Sequence, residues 1–489
     1  MRQVTILLAL VFLCTTTQAE DWPQFRGPNC NGLSTSKSLP SQFSLKENLL
    51  WRAQLKDGIG CPVVASGRVF SNAMTGPQTV TLFCHDAKTG DELWRRDLAT
   101  GALPEIHKTN SQAATTPAAD GDRVYFYFST LGLYAFDAKT GEQEWRVKLP
   151  TPYFVFKWGP GMSPVLHGDK VIFCQDDDLH PAIYAFDRKT GDQIWKVDRT
   201  DMAVNYSHPV VCRAKNGKDE LVVGGTGKLV GYDPDSGKQL WQARVLLRNI
   251  KTTPVSQDGV IYISLQSGGI ANQWLATADQ ADTGDSDGRL TKAEMQAFVG
   301  DVKIPAAFFA RFDRGDVNKD GYLEGQELDN AFLSPENFAG ARWDEEDPSD
   351  QYIIAVRAGG RGDVTKTHVL WKRETRAPDH IVSPLVVENR MFVVKGGGIA
   401  SCFNTETGEP IWDQKRIRNV GEYFASPIYG DGKIYVVGEN GNVIVMDSGP
   451  QLKVLSKSDL GDSCLATPAI ADGRIYFRTR SSLLCFADK

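Results

Sequence analysis

Short runs of apolar and aromatic residues recur along most of the chain, and a polar turn follows each of them. Residues 123–128, 170–174 and 474–477 are examples, rich in the β-branched and aromatic side chains that favour strands. Runs of this length, separated by turns at a regular spacing, predict an all-β protein.

One hairpin pattern, D/N-x-x-[TS]-G-x-x-x-W, occurs five times. The Asp or Asn side chain accepts hydrogen bonds from turn amides, and the Gly supplies a positive φ, so the pattern predicts a tight hairpin. The Trp then falls on the returning strand, where its ring packs between neighbouring sheets. The five Trp residues are Trp94, Trp145, Trp195, Trp241 and Trp412.

A proline marks the start of each repeat. The eight prolines are Pro62, Pro117, Pro164, Pro209, Pro254, Pro384, Pro427 and Pro468. Successive prolines are 41 to 55 residues apart except for one step of 130, and a spacing of about 40 to 50 residues is typical of propeller blades. Four strands per repeat and eight repeats predict an eight-bladed β-propeller with a long insertion in blade 5.

The two ends of the chain indicate how the ring closes. The last repeat stops at its third strand, residues 481–486, whereas an extra strand containing Trp51 lies at residues 48–55. An N-terminal strand that completes the last blade removes both exposed sheet edges. Trp371 is predicted to occupy a further Trp position of the repeat. In the remaining, eighth position the Trp is replaced by Val454. A β-sandwich, the alternative, gives no reason for one hairpin to repeat at one period.

These motifs resemble the tryptophan-docking repeat of the pyrroloquinoline-quinone (PQQ)-like propeller superfamily. That superfamily includes quinoprotein alcohol dehydrogenases and the outer-membrane assembly propeller. The resemblance covers residues 48–489 apart from the insertion, and residues 21–29 (DWPQFRGPN) resemble the leader of exported bacterial members. It implies the propeller fold but does not decide the function, because one fold hosts many activities.

The charge of the chain is unevenly distributed. The formal net charge of −6 excludes a strongly basic nucleic-acid binder. Residues 272–350, the insertion, contain 18 acidic and 7 basic residues, a net charge of −11. The mature remainder of the chain is therefore mildly basic, and the acidity belongs to the insertion.

Residues 316–327 match the twelve-residue EF-hand loop, including the glycine at position six and the glutamate at position twelve. Segments 306–312 and 327–333 on either side predict helices. The sequence therefore predicts a small α-helical EF-hand pair with calcium in this second loop. The predicted ligands are Asp316, Asn318, Asp320, the carbonyl of Tyr322, and Glu327.

A first loop precedes it and departs from the pattern. When Gly288 is aligned with the glycine at position six, Thr283 falls at position one and Asp282 lies one residue too early. The loop either binds calcium through a one-residue bulge that uses Asp282, or serves only as the structural partner of the second loop. Its candidate ligands are Asp285, Asp287, Arg289 and Glu294.

The first residues predict export. A basic residue precedes the apolar run 4–13, and small residues end at Ala19, as in a signal peptide cleaved after Ala19. The protein is then periplasmic or secreted, with no transmembrane segment, and its eight remaining cysteines are expected to be small buried residues. The predicted organisation is signal peptide 1–19, N-terminal extension 20–47, propeller 48–271, EF-hand insertion 272–350 and propeller 351–489.

Polar and aromatic residues in the loops before the innermost strands form a second candidate site at the mouth of the central channel. They could bind a small ligand or support acid–base chemistry. The channel-mouth residues are Lys157, Trp158, Asn205, Tyr206, His208, Lys251, His380 and Glu422. The resemblance to quinoprotein dehydrogenases implies that a PQQ site would have a disulfide between adjacent cysteines and a set of Glu, Asn and Asp residues. PQQ itself is not expected here, because no two cysteines are adjacent and no matching set of Glu, Asn and Asp is found.

The favoured function is an exported, non-catalytic scaffold that binds a protein partner or small ligand at the propeller face and binds calcium through the EF-hand module. The alternative is an enzyme with its active site at the channel mouth. That enzyme would be either a divergent quinoprotein-like oxidoreductase or a carbohydrate-active protein.

Overall fold

The chain folds into a ring of eight β-sheets arranged as propeller blades, which confirms the predicted fold class. The computed structural model describes residues 20–202, 205–245, 250–266, 274–332, 351–379, 381–417 and 421–488. In these described ranges, seven blades have four strands each and the fourth blade has five. Within each of blades 1 to 7, neighbouring strands of the four-strand meander are antiparallel, and the first strand lies next to the central channel.

The strands of the first four blades follow one another along the chain without interruption. They are Val63–Ala65, Arg68–Gly76, Thr79–Asp86 and Glu92–Ala99 in blade 1; Ala118–Ala119, Arg123–Phe128, Gly132–Asp137 and Gln143–Val147 in blade 2; Val165–His167, Lys170–Gln175, Ala182–Asp187 and Gln193–Asp198 in blade 3; and Val210–Arg213, Asp219–Gly225, Lys228–Tyr232 and Gln239–Ala243 in blade 4.

Blade 5 contains the insertion between its second and third strands. The strands of the remaining blades are Val255–Gln257, Val260–Gln266, Gln351–Arg357 and Val369–Glu374 in blade 5; Leu385–Val387, Arg390–Lys395, Ile399–Asn404 and Pro410–Arg416 in blade 6; Ile428–Gly430, Lys433–Val437, Asn442–Asp447 and Val454–Asp459 in blade 7; and Ala469–Ala471, Arg474–Arg478, Ser482–Phe486 and Leu49–Gln54 in blade 8.

The part of the chain that the structure describes has few helices, and most of them lie in the insertion. They are a π-helix at Leu275–Asp279, α1 (Lys292–Val299), α2 (Ala306–Gly315) and α3 (Gln326–Phe332); a 3-10 turn, Thr200–Met202, and α4 (Thr365–His368) lie in the propeller, and the two-stranded sheet Leu290–Thr291 with Tyr322–Leu323 lies in the insertion. Within the described ranges, none of these helices combines the length and the apolar character needed to cross a membrane.

The two ends of the chain meet in blade 8. Leu49–Gln54 pairs antiparallel with Ser482–Phe486, with Trp51 opposite Cys485. Because the outermost strand comes from the N-terminal side and the other three from the C-terminal side, opening the ring requires breaking this strand pair. The arrangement joins the first and last repeats without a covalent link.

The repeated Trp and Gly residues hold neighbouring blades together. The Trp94 ring packs against Gly141 of the next blade, and its Nε1 donates to the Ala138 carbonyl at 3.1 Å. A Cβ at Gly141, whose φ is 70°, would lie 2.6 Å from the Trp94 ring. Asp137 closes the same hairpin because its side chain accepts hydrogen bonds from the amides of Lys139 and Thr140. The Trp–Gly pairs are Trp51–Gly90, Trp94–Gly141, Trp145–Gly191, Trp195–Gly237 and Trp371–Gly408.

Two of the predicted Trp residues do not dock in this way. Trp241 donates to the buried Glu220 of its own blade at 2.7 Å. The next blade lacks the Asp-to-Gly hairpin, and Gly362–Asp363 instead forms a parallel fifth strand beside Trp241. Trp412 lies on the fourth strand of blade 6, and its indole nitrogen has no hydrogen-bond partner in the described part of the chain. The hairpin that would receive it, in blade 7, also lacks the motif.

The hydrophobic core is a series of clusters between adjacent blades. One cluster, for example, joins Phe70 and Trp94 of blade 1 to Phe126 and Phe136 of blade 2. A further cluster lies within the insertion and includes residues of blade 3 and the loop before it. All eight cysteines of the described chain are buried and free of disulfides, and burial raises the pKa of the Cys84 thiol to about 12.

Candidate functional site

The helical insertion packs on the propeller beside the channel mouth. Trp274 stacks on Tyr153 with 6.3 Å between ring centroids, and Val155 and Leu179 complete the contact. These propeller residues come from the loop before blade 3 and from the blade itself. Burial of apolar side chains holds the insertion on the propeller, since Trp274 is only 1% exposed.

Apolar side chains from the helices of the insertion pack together in one core. Trp274, Met295, Phe308, Leu328 and Phe332 are buried together, and Phe298 and Phe309 pack partly buried against them. Helices α2 and α3 flank residues 316–325, so the second loop has a helix–loop–helix arrangement. The two loops are joined by a short antiparallel pairing in which Leu290 lies opposite Leu323.

The second loop is folded around its own acidic side chains. Asp316 accepts from the amides of Asp320 and Gly321, at 3.1 Å each. At the far end of the loop, Glu327 accepts from the Val317 amide at 3.2 Å. The predicted oxygen ligands therefore surround one short stretch of backbone. Gly321 has a φ of 92°, which is the sharp turn that position six requires.

The remaining predicted ligands of the second loop lie in the same turn. Asn318 donates its side-chain amide to Asp320 at 2.8 Å, and the same Asp320 accepts from the Tyr322 amide at 3.3 Å. Carboxylate, carboxamide and carbonyl oxygens on a flexible loop are the ligand set that Ca²⁺ prefers. The donor chemistry of these residues fits a calcium ion.

In the first loop, the structure brings together a carboxylate that the sequence reasoning missed. Oxygen atoms of Asp279, Asp285 and Asp287 lie within 4.8 Å of one another. Asp282, the residue that a one-residue bulge would use, does not belong to this group. A signal for Asp279 existed in the sequence, since it is an acid six residues before Asp285, but alignment on the loop glycine excluded it.

The other two candidates in the first loop have local structural roles. Glu294 accepts from the amide and the hydroxyl of Thr291 at 2.8 Å, which caps α1. Arg289 lies over the Tyr322 ring, 4.3 Å from its centroid, and forms an ion pair with Glu324 at 3.3 Å. The Arg289 side chain of the first loop thus contacts the second loop and links the two.

The channel contains a cavity of about 430 Å³, closed at one end by the N-terminal extension. Phe25 of that extension stacks on His208 with 4.5 Å between centroids, and the fully buried Arg26 donates to the Pro384 carbonyl at 2.6 Å. The residues before the eight repeat prolines all line the cavity. They are Cys61, Thr116, Ser163, His208, Thr253, Ser383, Ser426 and Thr467.

Most of these cavity-lining residues form a hydrogen bond to the equivalent residue of the next blade. The Thr116 amide donates to the Ser163 hydroxyl at 2.9 Å, and the Ser426 amide donates to the Thr467 hydroxyl at 2.9 Å. Hydroxyl side chains at these positions therefore join neighbouring innermost strands. His208 has no such hydroxyl, and this distinguishes blade 4 from its neighbours.

Four of the predicted channel-mouth residues line the cavity: Trp158, Tyr206, His208 and Lys251. The Tyr206 hydroxyl and His208 Nε2 are buried and have no hydrogen-bond partner within the described ranges. Burial, together with the Arg26 charge, lowers the His208 pKa to about 4, so the ring is neutral at pH 7. Lys251 lies 5.2 Å from the Trp158 ring centroid, and burial lowers its pKa.

Three other predicted channel-mouth residues do not line the cavity. Lys157 forms an exposed ion pair with Glu105 at 2.7 Å. Asn205 uses its amide on Asp176 and on the Gly224 carbonyl, at 2.7 Å each. Glu422 is exposed beside Gly396, and His380 lies outside the described residues.

Sequence reasoning also missed several cavity residues. Phe25 comes from the N-terminal extension, and His107, Asn110 and Phe424 come from loops of other blades. The His107 ring lies 4.4 Å from the Trp158 ring. The proline marks did carry a signal, because the residue before each proline lines the cavity, but nothing local places Phe25 there.

Comparison with known proteins gives one family match. The family described as outer membrane protein assembly factor BamB matches residues 44–173, 81–316 and 350–452, more than half of the chain. No match is found among curated proteins.

Among solved structures, BamB from Moraxella catarrhalis is 14% identical, with a TM-score of 0.52, covering 90% of this chain and 99% of that one. The computationally designed Ika8 protein is 11% identical, with a TM-score of 0.52, covering 92% and 100%. At these identities, both likenesses show the fold alone.

Proposed function

This chain belongs to the outer membrane protein assembly factor BamB family, and from that premise we propose that it is an exported, non-catalytic scaffold with a calcium-binding module. The observation that carries the proposal is the helical insertion packed beside the channel mouth through Trp274 and Tyr153. The sequence of the insertion carries a net charge of −11, whereas the remainder of the mature chain is mildly basic. A propeller modified in this way presents two surfaces of opposite charge to a protein partner.

The polar groups of the channel mouth support a non-catalytic role. Asn205 and Lys157 are engaged in structural contacts, and the His208 ring is neutral and stacked on Phe25. A general base needs a pKa near the working pH and reach to its substrate, whereas the His208 pKa is about 4.

Photo-crosslinking in the native envelope tests the scaffold. A photoreactive residue replacing Trp158, which is 38% exposed at the mouth, or Val317, which is 66% exposed in the second loop, should crosslink to one protein partner. The same residue at Leu93, 47% exposed on an outer strand, is the control position. No adduct from either mouth or loop, or identical adducts from all three positions, would contradict the proposal.

Calcium binding in the second loop is proposed from its ligand set and its turn geometry. Glu327→Gln removes one charge and one of the two oxygens of the bidentate ligand, so calorimetry on the full chain should lose one calcium site. Asp313→Asn, an exposed acid in α2 that pairs with Lys292, should keep that site. Equal binding by wild type and Glu327→Gln would show that the second loop holds no calcium.

Export is proposed from the leader-like first residues and from the contacts of Glu20. The Glu20 amide donates to Asp472 at 2.8 Å, and its carboxylate accepts from the Thr35 amide at 2.7 Å. Cleavage after Ala19 would make this nitrogen a charged amine facing a carboxylate. Mass spectrometry of the protein from its native envelope should find a chain that begins at Glu20, and a chain that retains residues 1–19 would contradict export by cleavage.

The cavity favours one second candidate, an enzyme or small-ligand binder at the channel mouth. Tyr206 and His208 line the 430 Å³ cavity, and each has a buried polar atom without a hydrogen-bond partner among the described residues, while Lys251 supplies a positive charge. Incubation with PQQ and calcium should then change the absorption spectrum or melting temperature, and Lys251→Met should weaken the change. Lys157→Met, outside the cavity, is the matched control. No change in wild type would exclude the quinone version.

A further inference from the structure

The first loop of the insertion has a carboxylate where its own sequence pattern lacks one. Asp279, at the end of the π-helix, is fully buried. Its Oδ2 accepts from the Gln280 side chain at 2.7 Å, whereas its Oδ1 has no hydrogen-bond partner in the described part of the chain. A buried carboxylate oxygen without a partner costs free energy, which a bound cation would offset.

Asp279 is directed at two other carboxylates. Its oxygen and those of Asp285 and Asp287 lie within 4.8 Å of one another. Calcium–oxygen distances of about 2.3 to 2.6 Å allow two ligands of one ion to be at most about 5 Å apart. One ion can therefore contact all three side chains with little movement of the loop.

The backbone of the first loop explains how Asp279 reaches this position. Residues 280–285 fold back, so that the Ser286 amide donates to the Asp279 carbonyl at 3.1 Å. Beyond this point the loop follows the second loop closely. Ser286 and Gly288 have φ values of 57° and 82°, and the equivalent Lys319 and Gly321 have 62° and 92°. Compared with the second loop, the first loop has additional residues between Asp279 and Asp285. The fold-back accommodates these additional residues before the turn that carries Asp285 and Asp287.

We infer that Asp279, Asp285 and Asp287 form a second calcium site, in which Asp279 replaces the missing acid at position one. The inference rests on the proposed calcium-binding function of the insertion but concerns a different loop. Hard, oxygen-only ligands with a net charge of −3 select a divalent cation such as Ca²⁺. Thr283 and Asp282 take no part in this site.

Calcium calorimetry on the full chain tests the inference through one substitution and its matched control. Asp279→Asn keeps the shape of the side chain and removes its charge, so the protein should bind one ion where the wild type binds two. Asp282→Asn removes an exposed acid from the same loop and should leave both ions bound. Glu327→Gln should lose the other ion, and the double variant with Asp279→Asn should bind none.

Each outcome separates this inference from the proposed function. If Asp279→Asn still binds two ions, or if the wild type binds a single ion that Glu327→Gln abolishes, the first-loop site is wrong and the second loop stands. If only the Asp279-dependent ion is found, the inference stands and the second-loop site is wrong. A wild type that binds no calcium overturns both.

Thermal unfolding in EDTA distinguishes a metal ligand from a structural residue. Without calcium, Asp279→Asn should melt at the same temperature as the wild type or higher, because it removes a buried unpaired charge. With saturating calcium, the wild type should gain more stability than Asp279→Asn. A variant that is less stable in EDTA and gains as much from calcium as the wild type would overturn the inference.

Discussion

Acidification should destabilise this propeller through one buried histidine at the closed end of the channel cavity. His208 is 8% exposed and stacks on Phe25, and its pKa is lowered from 6.5 to about 4 by burial and by the Arg26 charge. The unfolded chain binds this proton more readily than the folded one. The free energy of unfolding that the neutral His208 ring contributes is therefore fully present above pH 6.5, and it is lost as the pH falls towards 4.

The size of the effect follows from the two pKa values. The folded chain has a His208 pKa of about 4 and the unfolded chain one of 6.5. Proton linkage then lowers the free energy of unfolding by about 2.5 kcal/mol between pH 7.5 and pH 4.5. His208→Phe keeps an aromatic ring against Phe25 but removes the titration. Over this range the wild type should lose about 2.5 kcal/mol more unfolding free energy than the variant.

Urea unfolding at the two pH values measures this difference directly. Carboxylates also titrate in this range, but they are common to both proteins and cancel in the comparison. His368→Phe, a substitution at a partly exposed histidine of α4, serves as a control and should follow the wild type. The same pH dependence in wild type and His208→Phe would refute the reasoning.

Three further predictions concern the blades, the N-terminus and the calcium module. Gly141→Ala should cost about 2 to 4 kcal/mol in urea unfolding, because its Cβ would clash with Trp94, whereas Gly168→Ala, also at positive φ but with open space around it, should cost about 1 kcal/mol. Equal costs would show that the close approach does not matter. Asp472→Asn should lower the melting temperature only of protein whose first residue is Glu20, and an equal change in unprocessed protein would contradict the amine contact. EDTA should lower the melting temperature of the whole chain, and at free calcium 100 times the dissociation constant the gain per site is about 2.7 kcal/mol; no change in EDTA would contradict calcium binding.

Much of the second-loop geometry could be predicted because its ligands lie within one turn. Asp316, Asp320 and Glu327 are separated by at most eleven residues, and a glycine between them sets the bend. Their contacts with the loop amides depend on local spacing. The first loop differs because Asp279 reaches Asp285 only after the chain between them folds back, and spacing does not show that fold.

The sequence by itself determined the number of blades, the hairpins and the position of the insertion. Each of the five motif hairpins needs only an Asp or Asn, a Gly and a Trp within nine residues, as in Asp137, Gly141 and Trp145, so local chemistry is sufficient. Only the tertiary structure decided that Phe25 meets His208 at the closed end of the cavity. The physical reason is that such contacts join residues far apart in the chain, whose distance depends on the closure of the whole ring.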